Sequence, residues 1–342
     1  MSNPFPLYKN LPIRHDAPAG SCWGVFDKNG VRDVYGTLNF ITPEILVAAK
    51  QEIQTGESVV LKYPISHEAP IERSQTFDCL HSLPLDQPSE PCPGRQPLKH
   101  TIHARAHGMF CADDEIHVNT QASSQWDGLL HYANQSREEY YNGVKYADAV
   151  ESRTDQSLGI HAISERGGIA GRGILLDFVR YGERHGIKYD VFASYPITLE
   201  QISGMIAEEN LDVRQGDILI VRTGLSRAIR ASDPRIQGLW DRGAHIGVDP
   251  TPELIEWLWD RNLAAIASDA VAFECIPASD KSFMRLHEAC LAGFGMSIGE
   301  LFDLEALAAV AEKNNRWSFF LTVCPLNVQG GVATIANTMA IF

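Results

Sequence analysis

The sequence predicts a mixed α and β fold in a single domain, and three observations carry that expectation. Hydroxyl-capped helix starts recur along the chain, short β-branched runs stand between them, and from about residue 198 the two kinds of segment alternate. The first half is more irregular and richer in strand-like runs. Composition agrees, since 44% hydrophobic and 21% charged residues describe ordinary globular protein and not a disordered chain. At 37.8 kDa the chain can bury roughly three quarters of its unfolded surface, enough for a large core.

The helix starts are Thr42-Pro43-Glu44, Thr198-Leu199-Glu200 and Thr251-Pro252-Glu253. Each places a capping hydroxyl before a first turn that carries an acid, and two have proline at the first helical position. The first helix is expected to end at Gly56, a residue suited to the left-handed position after a helix. Strands are expected at Val59–Leu61, Ile174–Leu176, Ile218–Val221, Ala265–Ala267 and Phe319–Val323. Residues 1–20 read as an N-terminal extension. The stretch 82–99 holds prolines 84, 88, 91, 93 and 97, which cannot join a ladder, so it reads as a surface loop, either a passive excursion or a lid.

Charge narrows the function. With 29 Lys and Arg against 43 Asp and Glu the net charge is −14, and no basic cluster exists to release counterions from nucleic acid or to dock on an anionic membrane. No window approaches the roughly 18 apolar residues of a membrane span, and residues 1–15 lack a secretory layout, so a cytoplasmic location is expected. Seven cysteines without CxxC spacing read as reduced thiols, neither a disulfide framework nor a zinc ribbon.

Three motifs are decoys. Gly295-Met296-Ser297-Ile298-Gly299 matches GxSxG, but the last histidine, His287, lies upstream of Ser297, which is the wrong chain order for that hydrolase triad. The glycines of 167–173 and 293–295 miss the dinucleotide fingerprint and read as turns. His103 and His107 have metal-pair spacing, but Ala104 stands where a zincin needs glutamate.

The densest polar run extends from His117 to His131. Its polar residues at 117, 119, 121, 123, 125, 127 and 131 share odd parity, so an extended chain aims them to one side. A straight strand from 121 to 127 spreads them over roughly 20 Å, so convergence on one ion requires a bend at Ser123-Ser124 or Gly128. Taken alone, the run fits a hydrogen-bonded polar strand as well as a metal site.

From Ser123 to His131 the run resembles the signature of the cyclase family of metal-dependent hydrolases, the family of bacterial kynurenine formamidase and isatin hydrolase. Its motif, HxxxHxDxxxH, falls on Gln121, Gln125, Asp127 and His131. The resemblance implies metal ligands at the first three and proton transfer at His131, with further ligands at His287 and Glu300. Trp23-Gly24, Gly36-Thr37-Leu38-Asn39, Tyr141-Asn142-Gly143, the 171–177 run and Ser268-Asp269 also look like family blocks. It implies a swivelling β/β/α cyclase-like fold over residues 1–342, and a homodimer or homotetramer. Glutamine in place of two ligand histidines leaves an oxygen-rich donor set, for which Mn²⁺ is favoured over Zn²⁺.

The expected activity is hydrolysis of a small molecule, opening a cyclic amide, lactone or aryl formamide, with Asp127 and His131 catalytic. Trp126, Phe110 and Trp23 are candidates for an apolar wall around the substrate. The alternatives are ring closure or dehydration at the same metal, and a metal-free binding protein on the same scaffold.

Overall fold

The apolar runs of the sequence become the middle of one large sheet in the computed structural model, which describes residues 4–63, 95, 99–104, 110–236, 238–239, 243–282 and 284–342. In chain order the strands are β1 (Ser58–Val60), β2 (Lys99–Ala104), β3 (Ala112–His117), β4 (Gln125–Asp127), β5 (Ile169–Asp177), β6 (Pro196–Ile197) and β7 (Ile218–Arg222). There follow β8 (Gly247–Val248), β9 (Ala265–Ser268), β10 (Ile298–Glu300), β11 (Ser318–Val323), β12 (Ala333–Ile335) and β13 (Thr338–Ile341). The helices are α1 (Pro43–Ala49), α2 (Ile160–Glu165), α3 (Phe178–His185), α4 (Leu199–Glu208), α5 (Leu225–Arg230), α6 (Pro252–Asp260), α7 (Arg285–His287) and α8 (Glu305–Asn314).

Nine strands form the main sheet in the order β1-β13-β11-β5-β7-β9-β10-β4-β12, and β5, β7, β9 and β10 are mutually parallel. Both faces of these central strands are covered, which is why they read as continuous apolar runs without alternation. Ile174, Leu176, Leu219, Val221, Ile266 and Ile298 pack into a core on one face, with α4 and α6. Leu175, Ile218, Ile220, Ala265 and Ala267 pack into a second core on the other, with α8. Strands β2 and β3 pair as a separate ribbon on which His103 is exposed. His107, the other histidine of that rejected motif, and the proline-rich stretch apart from Arg95 and Lys99 lie outside the described residues.

The three expected helix starts are present. Thr42, Thr198 and Thr251 each accept a hydrogen bond from the backbone N–H three residues on, and Thr198 with Gln201 closes a reciprocal capping box. Thr198→Ala is therefore expected to lower stability by about 1 kcal/mol. An unchanged urea midpoint would show that α4 is held by packing alone.

Two local expectations are corrected. Helix α1 ends at Ala49 and not at Gly56, because the next turn is tighter and carries Glu52 inward. There Glu52 accepts from Arg172 at 2.9 Å, Ser318 at 2.8 Å and Arg316 at 2.5 Å. Gly171 and Gly173 are not turn residues: they lie within β5, where a Cβ on Gly173 would stand 2.4 Å from the Phe319 ring. Only Gly167 and Gly168 of that run take the left-handed conformation, with φ of 105° and 79°.

The dispersed blocks of the first half meet in one hydrogen-bonded knot. Gly24 N donates to Asn142 Oδ1, the Asn142 amide donates to Asp27, and the Tyr141 hydroxyl donates to Asp33. From this knot Trp23 Nε1 reaches the carbonyl of Ala292, while Cys22 and Thr37 donate their backbone N–H groups to Gly293 and Gly295. The carbonyls so engaged belong to the π-helix Glu288–Phe294 and the residue after it, directly downstream of His287. Asp269 similarly accepts from the backbone of Thr223, Gly224 and Ser226 and fastens the end of β9 to the start of α5.

Candidate metal centre

Strand β4 is three residues long, and its shortness makes the site. Residues 120–124 bend into it, and after Asp127 the chain turns at once, with Gly128 N donating to Val332 O at 3.0 Å and His131 N to Gly128 O at 3.0 Å. This turn brings His131 back over the strand end, so that its Nε2 stands 4.0 Å from Asp127 Oδ2. Gln125 lies opposite Glu300 in the register of β4 and β10, and Asp127 lies opposite Ile298. Alternation sends Trp126 to the other face, so Gln125, Asp127 and Glu300 point together.

The polar side chains form one network. Gln125 Nε2 donates to Glu300 Oε2 at 2.8 Å, and Gln121 Nε2 donates to Asp127 Oδ1 at 2.8 Å and to His131 Nδ1 at 2.9 Å. Arg95 donates to the carbonyl of Gln121. From α7, His287 places Nε2 3.1 Å from Glu300 Oε1 and donates from Nδ1 to Glu274 Oε1 at 2.7 Å. The His131 and His287 rings are 6.0 Å apart, and Tyr132 lies edge-on to His287 at 5.7 Å. All six polar side chains singled out in the sequence are thus brought together. A π-helix immediately after a site residue is common where function constrains a helix.

Burial and charge set the protonation of the cluster. Burial opposes a charge on His287, but its contacts with Glu274 and Glu300 outweigh that and raise its pKa to about 10. Burial and the neighbouring Asp127 raise Glu300 to about 7. Burial, with His287 and Arg95 nearby, holds His131 below its ordinary value in spite of Asp127. The side chain of His131 is 20% exposed, against 0% for Asp127, 1% for His287 and 6% for Glu300, so His131 occupies the open side.

The residues fit a divalent cation. Gln125 Oε1 and Asp127 Oδ2 are buried acceptor oxygens without a hydrogen bond, an expensive arrangement unless something positive completes it, and Glu300 Oε1 beside them has the His287 ring at 3.1 Å. Asp127, His131 and His287 each present a ligand atom within 4.8 Å of the other two. Gln121 turns its nitrogen inward toward two acceptors, so a ligand role for it requires its amide to rotate.

The aromatic residues expected at the wall are placed elsewhere. Trp126 is buried in the core of the opposite face, its Nε1 donating to Thr338, and Trp23 is buried beneath the π-helix. Phe110 is 93% exposed. The ring beside the cluster is Tyr132, which the sequence reading missed together with Arg95 and Glu274. Glu274 did leave a signal, as the lone charge in the apolar run Val271-Ala272-Phe273-Glu274-Cys275-Ile276.

Residues 59–275 match the model of the putative cyclase family. The chain belongs to that family. The solved structure of a novel cyclase is similar at 30% identity, covering 91% of this chain and 96% of that one, with a TM-score of 0.74. Isatin hydrolase A from Labrenzia aggregata, bound to benzyl benzoate, shares the fold at 15% identity, with 83% and 93% of the two chains covered and a TM-score of 0.54. Isatin hydrolase A from Ralstonia solanacearum does so at 12% identity, with 88% and 97% covered and a TM-score of 0.56. No curated protein matches the chain. The mixed α and β architecture is thus the cyclase-like fold that the motif implied. The family match ends before His287 and Glu300; their place beside Asp127 is a result of the fold, through β10 and α7.

Proposed function

We propose that this cyclase-family protein is a metal-dependent hydrolase that opens a cyclic amide, a lactone or an aryl formamide. The observation that carries the reading is the set of buried oxygens on Gln125, Asp127 and Glu300 beside two imidazoles, of which Gln125 Oε1 and Asp127 Oδ2 have no hydrogen-bond partner. Asp127, Gln125, His287 and Glu300 would hold the ion, with Gln121 joining them after its amide turns. This set is rich in oxygen, which favours Mn²⁺ over Zn²⁺. When bound, such an ion supplies polarisation of a carbonyl and acidification of a water. The shared fold with proteins named as isatin hydrolase is consistent with hydrolysis.

His131 does the proton chemistry. Its lowered pKa favours the neutral ring, which is free to accept a proton, and the Gln121 amide nitrogen stands 2.9 Å from Nδ1 and 3.3 Å from Nε2. The neutral ring can take the proton of the attacking water and then return it to a leaving amine or alkoxide. Asp127, 4.0 Å from Nε2, favours the charged ring whenever it forms. Tyr132, edge-on to His287 at 5.7 Å, would offer an aromatic ring to the substrate. A homodimer or homotetramer belongs to the same reading, and so does a cytoplasmic setting; among the described residues no helix is long and apolar enough to cross a membrane.

Protein purified without chelator is expected to contain close to one divalent ion per chain, with manganese restoring the most activity after chelation and reloading. A second reading has its own support, because the amides of Gln121 and Gln125 already join both carboxylates within the cluster. It makes the chain a metal-free binder of small molecules. Absence of bound metal, together with failure to bind added Mn²⁺ or Zn²⁺, would decide for it.

A further inference from the structure

We propose that Glu274 is a positioning residue that fixes His287 in one ring orientation and one tautomer, with Nδ1 protonated and Nε2 turned to the cluster. The inference rests on the metal-site reading above and adds to it the device that prepares one ligand. Glu274 is fully buried, and its carboxylate takes three donors: Leu286 N at 3.0 Å, His287 N at 2.9 Å and His287 Nδ1 at 2.7 Å. Two backbone N–H groups at the start of a short helix are enough to hold a chain segment. The third bond, to the ring of the same residue, makes the acceptor that locates the backbone also locate the side chain. The ring thereby cannot turn without leaving a buried carboxylate short of a donor, which is costly.

The consequence reaches the cluster through His287 Nε2. A carboxylate at Nδ1 obliges that nitrogen to carry a proton, so Nε2 is the nitrogen that can offer a lone pair to a cation, on giving up the proton it shares with Glu300 in the metal-free protein, and the negative partner raises its basicity. Glu300, on the other side, meets the ring only at Nε2. Glu274 comes from the segment after β9, where it bridges to Val248 of β8, and Glu300 comes from β10, so the imidazole is held between two separate elements. Glu288, the next residue along, faces away and accepts from Asn134 and Gln135.

Two measurements test this on the full-length protein. In metal-free protein carrying ¹⁵N-labelled histidine, a slowly exchanging, downfield Nδ1–H resonance of His287 is expected. It should move upfield in Glu274→Gln and vanish in Glu274→Ala, while Glu288→Gln leaves it in place. Mn²⁺ affinity, read by chelator competition, should fall about 10- to 100-fold in Glu274→Gln and stay unchanged in Glu288→Gln. A ring resonance unaltered by both Glu274 substitutions, or wild-type Mn²⁺ affinity in Glu274→Gln, would overturn the assignment. If the resonance responds as expected but wild-type protein binds neither Mn²⁺ nor Zn²⁺, the hold of Glu274 on the ring stands and the metal-site reading falls. Glu274→Gln keeps an acceptor and the side-chain volume, so the test survives if Glu274→Ala does not fold.

Discussion

Asp127→Asn is expected to remove bound metal and hydrolytic activity together while leaving the fold intact. The side chain is fully buried on β4, and its Oδ1 accepts from Gln121 and more distantly from Gln125. Asparagine retains that acceptor and the volume, so the hydrogen bonds that order the strand end survive. The other position changes: Oδ2, which has no hydrogen-bond partner and faces His131, becomes an N–H donor. A hard cation loses its charged oxygen there and meets the hydrogens of a neutral amide instead. Metal affinity should fall by at least about 10²-fold, beyond what outer partners of a metal site typically contribute. Metal analysis and calorimetric titration with Mn²⁺ check this directly. Retention of stoichiometric metal in Asp127→Asn would remove Asp127 from the ligand set.

His131→Asn is expected to do the opposite, keeping metal and losing about 10² to 10⁴ in kcat, the usual contribution of a placed acid or base. The side chain lies at the open edge of the cluster, whereas Asp127, His287 and Glu300 are enclosed. The Gln121 amide nitrogen stands against the inner edge of the ring, 2.9 Å from Nδ1 and 3.3 Å from Nε2. Asparagine can still receive the Gln121 amide but has no group that titrates near neutral pH. Turnover of an aryl formamide or a lactam at saturating Mn²⁺ reads the effect. An unchanged rate would assign the proton transfer to another residue, and loss of metal in this variant would place His131 among the ligands, as its distance to Asp127 and His287 also permits. A metal-free binding protein has no turnover to lose; there, affinity should fall more for Gln121→Ala or Gln125→Ala than for His131→Asn.

Much of the scaffold was legible because its causes are local. Threonine caps followed by acids mark α1, α4 and α6, since one hydroxyl satisfies a nearby backbone N–H. The runs that became β5, β7 and β9 had to be central because they contain no polar face to expose to water. The misread segments were those in which distant contacts override local preference. Gly173 sits in a strand because the Phe319 ring occupies the space a side chain would need, and α1 stops early where Glu52 is drawn to Arg172 and Arg316.

For the site, the sequence by itself determined which chemical groups are present: two glutamines and an aspartate on one side of an extended run, a histidine four residues beyond, and a distant His and Glu that only the family motif connected to them. Residue type and the two-residue period of a strand fix that much. Tertiary structure alone decided that these groups share one buried centre. The bend at Gly128 that the sequence offers is fixed by its bond to Val332, and the register of β4 on β10 sets Gln125 against Glu300. Tertiary structure also placed Trp126 in the core of the opposite face and set Glu274 behind His287. The physical reason is that both depend on packing between segments more than 10 residues apart. Spacing along a chain carries no record of which face a strand will turn to its neighbour or which buried charge will find a donor.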